Sequence, residues 1–110
     1  MKLKEKRIKD ICIVEPEGTL NIASAQEFFG RIIGLLQKGE KKILLNMAGL
    51  QAVDSIGLGT LVRIQKRAKD SEVRLILANL PSRVSSLFKM TKMDQVFEIR
   101  PTEEQALEVL

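Results

Sequence analysis

The sequence predicts an α/β domain with a mostly parallel sheet, and three observations carry that prediction. Short apolar, β-branched runs alternate with longer stretches of helical periodicity after an initial pair of strands. Two of those runs, Ile43-Leu44-Leu45 and the stretch from Glu72 to Leu80 with Val73, Leu75, Ile76, Leu77 and Ala78, have the pattern of strands buried on both faces. The chain has 110 residues, 45% hydrophobic and 29% charged, which is room for one core and one domain spanning 1–110.

Each element has its own signal. Residues 3–8 alternate weakly and end at Lys9-Asp10, a turn. Ile11-Cys12-Ile13-Val14 reads as a strand, closed by Pro16 and Gly18. Ser24 to Lys38 reads as a helix. Ser24 and Glu27 have capping-box spacing, Phe28, Ile32, Leu35 and Leu36 form an apolar face, and Gly39 is the stop. Gly30 and Gly34 inside this helix point to a close helix–sheet contact. Lys41 to Met47 is a strand and Ala48 to Asp54 a connection. Ser55 to Lys69 is the second helix, with Ile56, Leu61, Ile64 and Ala68 on one side. After the strand from Glu72 to Leu80, Pro81 opens a third helix with Val84, Leu87 and Phe88, which fades by Met93-Asp94. Val96 to Ile99 is a short strand, and Thr102 with Gln105 caps a final helix to Leu110. The order is β-β-α-β-α-β-α-β-α. Right-handed crossovers then place Glu17 to Asn21, Asn46 to Ser55, Leu80 to Ser82 and Arg100 to Thr102 along one rim, where sites in such folds gather.

Composition excludes several classes of function. The chain has no His, so neither an imidazole metal site nor a His-based triad can be built. A single Cys12, set between Ile11 and Ile13, offers no disulfide or zinc cluster and reads as a core residue in a reducing compartment. No apolar run approaches the ~20 residues of a membrane span. The basic start, Met1 to Lys9, lacks the features of a secretory signal. Five basic residues, Lys2, Lys4, Lys6, Arg7 and Lys9, face Glu5 and Asp10 in the first ten positions, while the whole chain carries only +4. That distribution suits a charged edge strand rather than a nucleic-acid face.

The informative stretch is Asp54-Ser55-Ile56-Gly57-Leu58-Gly59, which follows a strand and opens a helix. It is not a dinucleotide fingerprint, because Val62 stands where the third glycine would fall, and no P-loop or nucleophile elbow fits it. What remains is an exposed hydroxyl at a helix start. Ser55 is either an N-cap or a phosphoacceptor, two roles one serine can combine. The glycines let another surface approach the backbone there.

This motif, preceded by Lys42-Ile43-Leu44-Leu45-Asn46, resembles the signature of STAS domains of the bacterial anti-sigma factor antagonist type. The resemblance extends over Gly18-Thr19-Leu20-Asn21, Asn79-Leu80-Pro81, Phe97-Glu98-Ile99 and Thr102 to Leu107. It implies a small mixed sheet flanked by helices and a partner switch. In that family the unphosphorylated domain binds an anti-sigma factor that is also a serine kinase, which frees a sigma factor. The kinase then phosphorylates the serine that Ser55 matches, the partner is released, and a serine phosphatase restores the domain. Asn21, Ser24, Asp54, Ser55, Ile56, Gly57 and Leu58 are the partner-binding residues so implied, with no catalytic or metal residue and no cofactor. One departure is Asn21, where the family often has Asp. The implied protein is a cytoplasmic monomer or weak dimer that neither contacts nucleic acid directly nor inserts into a membrane. A scaffold subunit of a signalling or lipid-transport assembly would share the fold. A receiver-like phosphotransfer domain would need an acid where Asn46 stands.

Overall fold

The computed structural model describes all of residues 1–110. Strand β1 (Lys2–Ile8) turns at Lys9-Asp10 into β2 (Ile11–Leu20), and the two pair antiparallel from Lys2↔Glu17 to Ile8↔Ile11. Helix α1 (Ile22–Gln37), β3 (Lys42–Asn46), β4 (Leu50–Val53), α2 (Ser55–Asp70), β5 (Arg74–Ala78), α3 (Ser82–Met90), a 3-10 turn at Met93–Gln95, β6 (Glu98–Arg100) and α4 (Glu103–Val109) follow. The strand order is β1-β2-β3-β5-β6, parallel beyond the first pair, with β4 added beside the end of β2.

Alternation along the strands builds two apolar layers. Cys12, Val14, Ile43, Leu45, Leu75 and Leu77 face the larger one, closed by Phe28 and Ile32 of α1, Leu61 and Ile64 of α2, and Val84 and Phe88 of α3. Ile11, Ile13, Leu44, Ile76 and Ala78 face the other side, which Ala106 of α4 covers with Leu107 and Leu110. Cys12 is buried in the core, and that burial pushes its thiol above the ordinary range, the environment of an inert thiol. No helix is long and apolar enough to cross a membrane.

The fold departs from the sequence reading in particular places. Strand β2 does not close at Pro16 and Gly18. Pro16 falls between its two parallel pairings, Cys12 to Val14 with β3 and Gly18 to Leu20 with β4. Gly18, at φ +113°, stands at a register shift within the β4 pairing, between Gly18 and Thr19. The stretch read as a connection, Ala48 to Asp54, contains β4. Helix α1 starts at Ile22, two residues before Ser24, because Asn21 is its cap. Gly39 does end α1, at φ +91°. A methyl group on Gly30 or Gly34 would meet nothing within 4 Å, so no close contact requires them, and nothing in the structure explains them. Ile56 is 48% exposed and lies off the buried face of α2, which consists of Gly57, Thr60, Leu61, Ile64 and Ala68.

The basic start of the chain is an edge strand, as its sequence suggests, and several of its charges are paired within the chain. Lys4 pairs with Glu17 at 2.9 Å, Lys6 with Glu103 at 3.1 Å and Glu15 at 3.4 Å, Arg7 with Glu40, and Glu5 with Arg31 at 2.6 Å. The bond to Lys4 holds the Glu17 carboxyl below its usual range, and Lys4 is raised in return.

Candidate functional site

Two helices begin side by side at one rim. Leu20, the last residue of β2, pairs with Val53, the last residue of β4, so the next residues, Asn21 and Asp54, start α1 and α2 together. The Asp54 N–H donates to the Leu20 carbonyl at 3.2 Å, which ties the two starts. Gly57 fits against the same carbonyl. A Cβ at this position would lie 2.2 Å from the Leu20 oxygen, a distance no side chain tolerates. The glycine therefore serves close packing inside the domain and is buried, a correction to the reading that it exposes backbone to a partner.

The caps differ at the two starts. Asn21 Oδ1 accepts from the Ala23 N–H at 2.9 Å. Ser24, three residues into the helix, is buried; its hydroxyl accepts from the Asn21 N–H at 3.1 Å and donates to the Thr19 carbonyl at 2.7 Å. The capping box is thus Asn21 with Ser24, not Ser24 with Glu27. At α2 the cap is Asp54, whose Oδ1 accepts from the Gly57 N–H at 2.8 Å. Ser55 is the first helical residue rather than the cap, so its hydroxyl is exposed and has no partner within the chain.

The partner-binding residues that the resemblance implies separate accordingly. Asp54, Ser55 and Ile56 are exposed together, with Asn21 half-buried beside them. Leu58 is half-buried and packs on the core. Ser24 and Gly57 are buried and position the others.

Sequence reasoning missed two apolar features. Ile22, the first residue of α1, is 77% exposed next to this rim. A shallow groove with room for about 370 Å³ runs between β4 and α3, lined by Ala52, Val53, Val84, Leu87 and Met90 with Arg83 and Ser86. Met90 there is 82% exposed. The signal for Ile22 was hidden because the helix start was placed two residues late. The groove depends on β4, which the sequence did not reveal.

At Asn46, where a receiver-like domain would need an acid, the side chain instead donates to Glu103 Oε1 at 2.9 Å and accepts from the Ala48 N–H at 3.0 Å. No group of three His, Cys, Asp or Glu side chains is placed to hold a metal ion. The chemistry this rim offers is one free hydroxyl on a rigid helix start, flanked by a carboxylate and exposed apolar side chains.

The class of protein with this fold is the STAS domain. The chain belongs to that family, whose model matches residues 2–106. A protein of Thermotoga neapolitana, provisionally designated an anti-sigma factor antagonist, is 32% identical over 104 residues, 94% of this chain and 92% of its own length. The crystal structure of a Thermotoga maritima protein with the same provisional designation superposes with a TM-score of 0.90 at 29% identity, covering 96% of this chain and 92% of that one. The anti-sigma factor antagonist SpoIIAA in its unphosphorylated form shares the fold, with a TM-score of 0.79 at 19% identity over 97% of this chain and 94% of its own. The family is the one the Asp54 to Gly59 motif resembles.

Proposed function

We propose that this chain is an anti-sigma factor antagonist. Its unphosphorylated form binds an anti-sigma factor serine kinase and so releases a sigma factor, and phosphorylation of Ser55 ends that binding. The observation that carries the reading is the Ser55 hydroxyl, exposed and unbonded at the first position of α2 because Asp54 takes the capping role. The designation of the Thermotoga neapolitana relative supports it. SpoIIAA, which shares the fold, has also been solved in a phosphorylated form.

In this mechanism Ile22, Ile56 and the apolar groove beside β4 give the partner its contact area, and Asp54 and Asn21 its polar contacts. The kinase transfers the γ-phosphoryl group of ATP to Ser55 Oγ. The new O–P bond forms as the bond to the β-phosphate oxygen breaks, and the hydroxyl proton leaves to a base on the kinase. The product adds about −1.5 to −2 charges beside the Asp54 carboxylate. The positive end of the α2 dipole favours an anion there, so the domain stays folded. A partner packed on the same surface must desolvate that charge without a matching cation, which costs several kcal/mol at the extreme. A serine phosphatase hydrolyses the ester and resets the switch. The domain supplies surface and acceptor but no catalytic group, in the cytoplasm, as a monomer or weak dimer.

Mass analysis after incubation with ATP and each candidate kinase tests this. One phosphoryl group on Ser55, absent in Ser55→Ala, is expected. Ser55→Ala should bind the kinase persistently and Ser55→Asp weakly. Equal affinities for parent, alanine and aspartate forms would overturn the switch and favour a scaffold role in a signalling or lipid-transport assembly.

A further inference from the structure

Among the cations that the fold leaves unpaired, three lie together on α2, the helix that begins at Ser55. Arg63, Lys66 and Arg67 form no ion pair, although the chain pairs most of its basic edge strand. With Asp70 and Phe29 of α1 they line an open groove with room for about 380 Å³ between the two helices. The Arg63 guanidinium sits over the Phe29 ring, 4.3 Å from its centroid, which holds one charge in place. At 100° per residue, Lys66 returns to within roughly 20° of the Ser55 direction, about 16 Å further along the axis, with Gly59 between them. Gly59 is exposed, and a side chain there would meet nothing within 4 Å. Val62, the other residue on that line, is half-buried against the core, so no exposed apolar side chain stands between Ser55 and Lys66, and Arg63 and Arg67 flank the line on the side towards α1.

We propose that Arg63, Lys66 and Arg67 dock an acidic surface segment of the protein that engages Ser55, so that one partner grips both ends of α2. This rests on the reading of Ser55 as the kinase's substrate and names the charge of the kinase surface that lies along the helix. Charge complementarity selects the occupant. The Phe29 face is taken by Arg63, which leaves no ring for base stacking, and none of the exposed large apolar side chains lies in this groove to enter a membrane. Continuity with Ser55 favours a protein that must reach that residue. Exposed complementary charge acts chiefly on the rate of encounter and fades with salt.

The test compares the parent with Arg63→Gln/Lys66→Gln/Arg67→Gln in two arms. In the first, the labelled proteins are titrated with a hexaglutamate peptide, a six-nucleotide single-stranded DNA and phosphatidylglycerol vesicles, and amide shifts are followed by NMR. The peptide should give saturable shifts around residues 63–67 of the parent, none in the variant, and a loss of effect at high salt. In the second, association with the kinase that phosphorylates Ser55 should slow about tenfold at low salt in the variant, with a flatter salt dependence and an unchanged rate of phosphoryl transfer once bound. Unchanged association by a melting-competent variant overturns this inference while leaving the Ser55 switch standing. Tighter binding of the DNA or the vesicles through the same residues also overturns it. A parent that no kinase phosphorylates removes the switch and this inference together. Lys66→Gln alone, with a proportionally smaller loss, serves if the triple variant fails to fold.

Discussion

The starts of α1 and α2 are two versions of one local structure, and they differ in where a serine stands. Both helices leave the sheet at the same rim, one after Leu20 and the other after Val53, and each has an Asx residue as its cap. At α1 the serine is the third helical residue, buried and bonded to the strand behind it. At α2 the serine is the first helical residue, and Asp54 has already satisfied the amide of Gly57. Position relative to the cap decides whether a hydroxyl is part of the scaffold or available to another molecule. The same holds for glycine. Gly57 in the first turn of α2 is compelled by a neighbouring carbonyl, whereas Gly30 in α1 faces open space.

Substitutions at these two starts sharpen the contrast, and they rank by expected effect. Gly57→Val should be the most damaging. Its Cβ would overlap the Leu20 carbonyl, and backbone cannot rotate aside as a side chain can, so a loss of about 3 kcal/mol or more is expected. A denaturant midpoint near that of the parent would show that the two helix starts separate easily. Ser24→Ala removes two part-buried hydrogen bonds and leaves the Asn21 N–H and the Thr19 carbonyl with one partner fewer, so about 1–3 kcal/mol should go. Kinase affinity should change only in proportion to that instability.

Asp54→Ala loses the cap of α2, about 1 kcal/mol by thermal or chemical denaturation. Asp54→Asn should restore most of it, since either side chain can accept from Gly57. Ser55→Ala should leave stability within about 0.5 kcal/mol of the parent, because an exposed first-turn hydroxyl with no bond contributes little. A loss as large as that of Ser24→Ala would erase the distinction between the two serines. Gly30→Ala should raise stability, by up to about 1 kcal/mol, since the site is open and helical. A fall in the midpoint there would show that the space around Gly30 is not open in solution.

Much of this was legible in the residues. The patterns placed seven of the observed elements near their true bounds, β1, α1, β3, α2, β5, α3 and α4: the apolar face marks α1, β3, α2, β5 and α3, the Thr102 cap marks α4, and the exposed β1 shows only a weak alternation ended by the Lys9-Asp10 turn. The length of β2 and the existence of β4 were not legible. Pro16 and Gly18 are strand breakers locally, and only the change of partner from β3 to β4 explains how a strand passes through them. The short β4, Leu50–Val53, has one buried residue and so no period to detect. Within the site, Asp54-Ser55-Ile56-Gly57 was visible as a motif, but the division into exposed Asp54, Ser55 and Ile56 and buried Gly57 was not.

Charge shows the same division between what is local and what is not. In the sequence the basic excess sits in the first ten residues. In the fold Lys4, Lys6 and Arg7 meet acids from β2, α4 and the loop after α1, brought to them from up to 97 residues away. Arg63, Lys66 and Arg67, unremarkable in the sequence, are left without partners. The sequence by itself determined the class of fold, the core stripes and the motif that identifies the family, because periodicity, capping and turn chemistry act between residues a few positions apart. Only the tertiary structure decided which serine is free, which glycine is compelled and which cations remain available, because each depends on a group that the chain returns from a distant position.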